Sequence, residues 1–249
     1  MIRTRSGRAL ACAVLAAALQ ACSGAGSGPP PASQIVEKYV SALGGRAAAE
    51  RHASRHVTAE MTMPATGTTV EMEIWTARPQ RVRMLSRSVT NGVTIASGYD
   101  GTTAWAIAGD QPRILDRATF EQALGNARFD TPIDFAKTYP TMETLGERTV
   151  EGRACWNVRM VSADSTEVQN CFDKESGLLV GTVVPKQGGG VLADVVLGDY
   201  KDFDGLRMPT HMTTTVNGQR MVTTLKSVSH APIPDSVFAL PAEVRALVH

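Results

Sequence analysis

The spacing of hydrophobic residues changes once near the start of the chain, from a helical to an alternating pattern. Between Ser33 and Leu43, apolar residues recur at helical intervals on one face, and Gly44-Gly45 ends the pattern. Arg46 to Ala53 predicts a second, short helix. Beyond it, apolar and polar residues alternate, which is typical of strands that bury one face.

The alternating region begins with a meander of strands. The predicted inward positions of its first three strands are Val57, Ala59, Met61, Met63, Val70, Met72, Ile74, Val82 and Met84. Two more strands, 93–98 and 102–108, follow, and Asn91-Gly92 and Asp100-Gly101 favour tight hairpin turns beside them.

The alternation is interrupted over residues 117–138. Asp116 is placed to cap a helix that carries Phe120, Ala123 and Leu124, and Pro132 to Tyr139 predicts another short helix. Strands then resume and continue to a terminal turn at 234–238. Their predicted ranges are 142–150, 153–161, 165–173, 177–185, 191–201, 206–216 and 219–230.

About a dozen strands in up-and-down order, with few helices, predict an α+β fold. We expect a strongly curved antiparallel sheet that forms an unclosed β-barrel, with the helices covering its concave face. Residues 34–249 are expected to form this single domain.

The N-terminal segment has the features of a bacterial lipoprotein signal. Basic residues precede an apolar run, and Leu19-Gln20-Ala21-Cys22 resembles a lipobox. This predicts a signal peptide over 1–21, lipidation of Cys22 and a Gly/Ser/Pro tether over 22–33. The alternative is an ordinary cleaved signal in which Cys22 occurs by chance. By resemblance to the sorting rule of enteric bacteria, Ser23 favours an outer-membrane location facing the periplasm.

The charge balance gives no indication of a nucleic-acid partner. Removal of 1–21 takes three of the 25 basic residues and none of the 24 acidic ones, leaving a net charge of −2. We expect a monomer that needs no cofactor.

Two cysteines remain in the exported domain, Cys155 and Cys171. They occur on two predicted strands that flank Ser162-Ala163-Asp164, and a hairpin around this turn places the two thiols directly opposite each other. A disulfide is therefore predicted. A free buried pair or a redox couple is the alternative, although the chain has no C-x-x-C spacing.

An apolar ligand site is predicted from the methionines and tryptophans. Methionine adapts to irregular apolar ligands, although for any single residue plain core packing is the better explanation and the ligand wall is argued from the group. The candidate cavity residues are Met61, Met63, Val70, Met72, Ile74, Met84, Trp105 and Trp156.

Motifs for catalysis or metal binding are weak. His52 and His56 have the i, i+4 spacing of a zinc pair but lack a third ligand, and Asp199, Asp202 and Asp204 fit an Asx-type turn better than a calcium loop. The chain contains no nucleophile-elbow or phosphate-loop motif. No enzyme and no metal site are therefore predicted, and a hydrolase with an unrecognised site is the weaker alternative.

Five stretches resemble the outer membrane lipoprotein-sorting protein-like family, which has the LolA/LolB fold. They run through nearly all of the mature chain and are Ile35–Gly45, Gly98–Trp105, Phe172–Leu179, Asp199–Pro209 and Ile233–Pro241. The resemblance implies an unclosed barrel whose helices cover an apolar cavity, which in well-known members receives lipoprotein acyl chains.

The resemblance leaves two functions open. The first is a lipid-anchored envelope protein that binds a lipid or lipoprotein acyl chains, and the alternative is a protein-binding sensor or assembly factor of the same fold. LolB-like members touch the membrane with an apolar loop tip. The tips predicted here are polar or flexible, so no such contact is expected: Asn91-Gly92, Asp100-Gly101, Gly188–Gly190 and Asn217-Gly218.

Overall fold

The fold is a single open antiparallel sheet of thirteen strands. The structure is a computed structural model that describes residues 28–116, 119–120, 133–163, 165–186 and 188–248. Residues 1–27, with the predicted signal and Cys22, lie outside the described residues.

In the described part of the chain, thirteen strands follow one another. Their bounds are β1 Ser54–Met63, β2 Thr68–Ala77, β3 Arg81–Ser88, β4 Thr94–Tyr99, β5 Ala104–Ala108, β6 Gln111–Ile114, β7 Thr141–Val150, β8 Arg153–Val161, β9 Glu167–Asp173, β10 Leu179–Pro185, β11 Val191–Phe203, β12 Leu206–Val216 and β13 Gln219–Ser229.

Their order across the sheet is β6-β5-β4-β3-β2-β1-β13-β12-β11-β10-β9-β8-β7. Strand β1 pairs with β13, so the first and last strands meet in the middle, and β6 and β7 form the two edges. The predicted α+β unclosed barrel is thereby confirmed.

The helices whose full extent lies within the described residues are few and short. They are α1 Ala32–Ala42, α2 Gly45–Glu50, α3 Phe135–Thr138, a 3-10 turn at Asp235–Phe238 and α4 Ala242–Arg245. Helix α2 ends earlier than predicted. The sequence pattern missed α4, and it missed β6, because Pro112 removes a backbone donor from a strand of only four residues.

Helix α1 fills one half of the barrel. Its apolar face packs on strands β8–β11, where Tyr39 lies 5.2 Å from Phe172 and 5.5 Å from Phe135, measured between ring centroids. Val158, Met160 and Phe172 are completely buried beneath it. Burial raises the pKa of Tyr39 and of Tyr200 far above the usual range, so both phenols stay neutral in this core.

The other half has a smaller core that includes Val82, Ala104, Ala106 and Phe120. The Asp116 carboxylate accepts a hydrogen bond from the Thr119 N–H at 2.8 Å, as expected of a helix cap. The predicted helix residues Ala123 and Leu124 lie outside the described residues.

Cys155 and Cys171 form the predicted disulfide, but the strand register differs from the expected one. Cys155 lies opposite Asp173 and Cys171 lies opposite Asn157, so the two cysteines are diagonal neighbours with Cα atoms 5.4 Å apart. The loop after β8 is two residues longer than predicted. A register shift of two residues keeps every side chain on the same face of the sheet. The two cysteines therefore still meet, although the predicted register was wrong.

The helical layer meets the β11–β12 hairpin at two glycines. Gly44 has a φ of +116°, and a Cβ at this position would overlap the carbonyl oxygen of Gly205. The N–H of Arg207 donates to the carbonyl of Leu43 at 2.9 Å. This close approach fixes the turn between α1 and α2 against the sheet.

Candidate functional site

The candidate site is an apolar strip on the inner face of β1–β3. We define the apolar strip as Met61, Met63, Val70, Met72, Ile74 and Met84. Met61 lies opposite Val70 and Ile74 lies opposite Met84, so all six share one face, as the alternation predicted. None of the six belongs to the core under α1, and all are half-buried. The strip is thus a continuous apolar surface that stays partly accessible.

Trp105 does not belong to this surface, contrary to the prediction. Its neighbours on β5, Ala104 and Ala106, pack inward with Val82, so Trp105 faces the convex side. It is only 1% exposed there, with the Arg83 guanidinium 6.0 Å from its ring centroid. Inside the barrel the small alanines pack with Leu115 and Phe120, whereas the large ring is buried on the outer face.

Trp156 faces inward, as predicted, but it lies in the filled half. It packs against the core under α1 together with Val158 and Met160. The Lys174 ammonium lies 4.2 Å from its ring centroid. Five strands separate β8 from β1 in the sheet, so Trp156 is remote from the apolar strip.

Apolar side chains flank two hairpins at one end of the barrel, where β1, β3, β10 and β12 finish; we call this end the rim. On the β3–β4 hairpin, Val89 is 57% exposed and Val93 is 51% exposed, and on the β10–β11 hairpin Val191 is 56% exposed. The expectation that no apolar tip is exposed was therefore wrong. The exposed valines were missed because they flank the Asn-Gly and Gly-Gly turns, whereas the prediction considered only the turn residues themselves.

A separate cleft of about 440 Å³ lies on strands β11–β13. Its lining includes Asp199, Lys201, His211 and Thr224. The Thr210 hydroxyl donates to the carbonyl of Asp199 at 2.6 Å, where the backbone adopts a φ of 53°. Because charged and hydroxyl groups line this cleft, the apolar strip is the better candidate for an apolar ligand.

At the end opposite the rim, two histidines hold the β11–β12 turn. The rings of His52 and His230 stack with centroids 4.0 Å apart. The Asp204 carboxylate lies 3.4 Å from His230 Nδ1, and its backbone carbonyl lies 3.1 Å from His52 Nε2. Asp202 accepts from the Gly205 N–H at 3.0 Å, which confirms the predicted Asx-type turn.

This arrangement predicts a loss of stability in acid. Burial, then the nearby charges of His52 and Arg55, lower the pKa of His230, and Asp204 opposes them only partly. The unfolded chain therefore takes up a proton near pH 6.5 that the folded protein does not. The contribution of the neutral His230 to folding stability is fully present above that pH and is lost as the pH drops below it. Urea denaturation midpoints measured at pH 8 and pH 5.5 should show this loss of stability, and the loss should be smaller in His230→Gln.

His211→Gln is the control and should lose as much stability as the wild type. If His230→Gln also loses as much, the acid sensitivity does not come from His230.

His52 and His56 belong to different segments and have different partners. His52 follows α2, whereas His56 lies on β1, stacks on Trp75 with centroids 4.8 Å apart and contacts Glu73 at 3.1 Å. Over the described part of the chain, no group of three His, Cys, Asp or Glu side chains is arranged to hold a metal ion.

Three solved structures define the class of fold. A LolA superfamily protein from Nitrosomonas europaea is 15% identical, with a TM-score of 0.58 over 85% of this chain and 99% of that one. A DUF1329 family protein from Desulfovibrio piger is 12% identical, with a TM-score of 0.61 over 85% and 98% of the two chains. A domain named as an outer membrane lipoprotein-sorting protein, from Vibrio parahaemolyticus, is 10% identical, with a TM-score of 0.54 over 82% and 97%.

The chain therefore has a LolA/LolB-like fold, as the sequence resemblance predicted. A scan of protein-family models and a search of curated protein sequences found no match. Among the described residues, no helix is long and apolar enough to cross a membrane.

Proposed function

We propose that this protein is a lipid-anchored envelope protein that binds the acyl chains of a lipid or lipoprotein on the apolar strip. The observation that carries the proposal is the half-buried state of six inward apolar side chains on β1–β3, outside the core that α1 covers. Acyl chains leaving water for such a surface gain about 0.8 kcal/mol per buried CH₂. Binding then needs no covalent chemistry.

The rim supports a role at a membrane. Val89, Val93 and Val191 present apolar side chains at one end, and Ile95, which continues the inner face of β4, is 48% exposed beside them. The Thr144 hydroxyl donates to the carbonyl of Pro30 at 2.8 Å near the rim end of β7, so the described chain enters the barrel there. A lipid on Cys22 would anchor the protein in a membrane and keep the rim facing that membrane. By its sequence pattern, this anchor favours the outer membrane facing the periplasm.

The test is the lipid content of the protein made without its anchor. Residues 23–249 contain every described residue, so this segment would be exported to a periplasm, purified and denatured for lipid mass spectrometry. We expect stoichiometric lipid with the wild-type sequence and at least a tenfold loss in Met72→Asp, because a carboxylate on the strip has no partner charge.

Thr69→Asp is the matched control, since it places the same charge on the convex face of β2. It should keep its lipid, and both variants should show the wild-type circular dichroism spectrum. A lipid-free wild-type protein that also fails to take up a fluorescent fatty acid ester would overturn the proposal. That result would favour a protein-binding envelope factor instead.

A further inference from the structure

We propose that the ligand carries uncharged ester groups and that the hydroxyls of Ser86 and Ser97 hold them. This inference rests on the proposed acyl-chain site and adds the chemistry of the ligand's polar part. It assigns a specificity-determining role to two residues that no sequence motif marks.

Both serines face the interior of the barrel beside the apolar strip. Ser86 lies opposite Met72 on β2, and Ser97 lies opposite Met84 on β3. Across the β3–β4 pair the two serines are diagonal neighbours, which places them about 7 Å apart. An acyl chain that lies along Met72 and Met84 would therefore bring its polar end next to two hydroxyls.

The two hydroxyls are available to a ligand. Ser86 and Ser97 are half-buried, and neither side chain forms a hydrogen bond with another residue of the described chain. Other serines nearby are already used: Ser88 accepts from the Asn91 N–H at 3.4 Å, and Ser227 bonds to the Thr58 hydroxyl at 2.7 Å. A free hydroxyl in a half-buried apolar wall can donate to an ester carbonyl and would gain by doing so.

The strands that hold the serines, β3 and β4, and their neighbours β2 and β5 carry no charged side chain on the inner face. The inward positions of β1 from Val57 onward and of β2–β5 hold Val, Ala, Met, Thr, Ile, Ser and Tyr side chains. An ionised carboxylate placed there would lose its hydration without gaining a partner cation, which is costly. Two arginines continue the inner face at its margins. Arg113 on β6 lies opposite Ala106, two strands from Ser97 and about 10 Å away, and is exposed to water. Arg55 on β1 is three strands from Ser97, a separation of about 14 Å. The wall thus favours an ester over a free fatty acid.

Ester-linked acyl chains in a bacterial envelope come from glycerolipids, such as a phospholipid or a diacylglycerol, or from the diacylglyceryl group of a lipoprotein. Both present two ester carbonyls close together, a number that matches the two serines. The shared chemistry is the proposal, and the experiment separates the sources.

The experiment compares two probes with the same acyl chain, a fluorescent fatty acid and its uncharged methyl ester. At pH 8 the acid is ionised. We expect the wild-type protein to bind the methyl ester at least tenfold more tightly than the acid. The Ser86→Ala/Ser97→Ala variant should lose roughly tenfold in affinity for the ester and leave the affinity for the acid unchanged. Ser227→Ala on the convex face is the control and should behave as the wild type.

Competition then identifies the source of the ester. A diacylglycerol and a synthetic diacylglyceryl-cysteine peptide would each displace the methyl ester, and the stronger competitor names the physiological class. This inference is overturned if the acid and the ester bind equally well, or if the serine variant binds the ester as tightly as the wild type. Either result would still be consistent with the acyl-chain site. Tight binding of the acid that is lost in Arg113→Gln or in Arg55→Gln overturns the inference as well, and places the head group at that arginine. Failure of both probes to bind overturns the acyl-chain site itself.

Discussion

Replacement of Phe172 by alanine is expected to lower the free energy of unfolding by about 3–5 kcal/mol, a large effect for a single substitution. Phe172 has no solvent exposure and lies at the centre of the core that joins α1 to the sheet. Its ring contacts Tyr39 at 5.2 Å and Phe135 at 6.4 Å, so truncation removes contacts with two helices as well as apolar area.

Urea denaturation followed by circular dichroism would measure the change. Leu145→Ala is a suitable control, because Leu145 is 46% exposed on the edge strand β7 and its truncation should cost less than about 1 kcal/mol. A loss below about 1 kcal/mol in Phe172→Ala would show that α1 does not depend on this ring. The variant should also release α1 from the sheet before the rest of the barrel unfolds, which hydrogen exchange of the α1 amides would report.

Removal of the disulfide is expected to cost about 3 kcal/mol. Cys155 and Cys171 are separated by 16 positions, and a crosslink of that span restricts the unfolded chain by about this amount. Both cysteines are fully buried with Val150 and Val180, on the face of the sheet opposite α1. The double variant Cys155→Ala/Cys171→Ala should retain the fold and unfold at a lower urea concentration.

The wild-type protein in a reducing agent provides the comparison. It should unfold near the midpoint of the double variant, and reduction should not affect the variant itself. If reduction leaves the wild-type midpoint unchanged, the crosslink does not contribute to stability. Lipid content should survive the change, because the disulfide lies in the half of the barrel that is remote from the apolar strip.

The alternation of apolar residues predicted the inner face correctly wherever strands are long and regular. It placed Met61, Met72 and Met84 on one surface without any knowledge of their neighbours. It failed at Trp105 because residue size was taken as a sign of inward burial. In β5 the alanines pack under Phe120 in the interior. The indole lies on the outer face against Gly98, beside the Arg83 guanidinium, which donates to the carbonyl of Val237 at 3.0 Å.

Pairing register was less predictable than strand position. The disulfide register was wrong by two residues because the length of an irregular loop cannot be derived from the strands that it joins. The exposed valines of the rim and the free serines were missed for a different reason. Exposure and the lack of a hydrogen-bond partner are properties of the assembled wall and have no pattern in the sequence.

Because the edge strands β6 and β7, over their described residues, are not paired with each other, the width of the barrel is not fixed. Among the described residues, no backbone ladder joins β6 to β7, so the circumference of this barrel is not set by a closed ring of hydrogen bonds. The sheet can widen or narrow by changing its curvature while every strand pair stays intact. In the acyl-chain role proposed above, the barrel can then adjust its diameter to ligands of different cross-section, from a single tail to several, without unfolding any element.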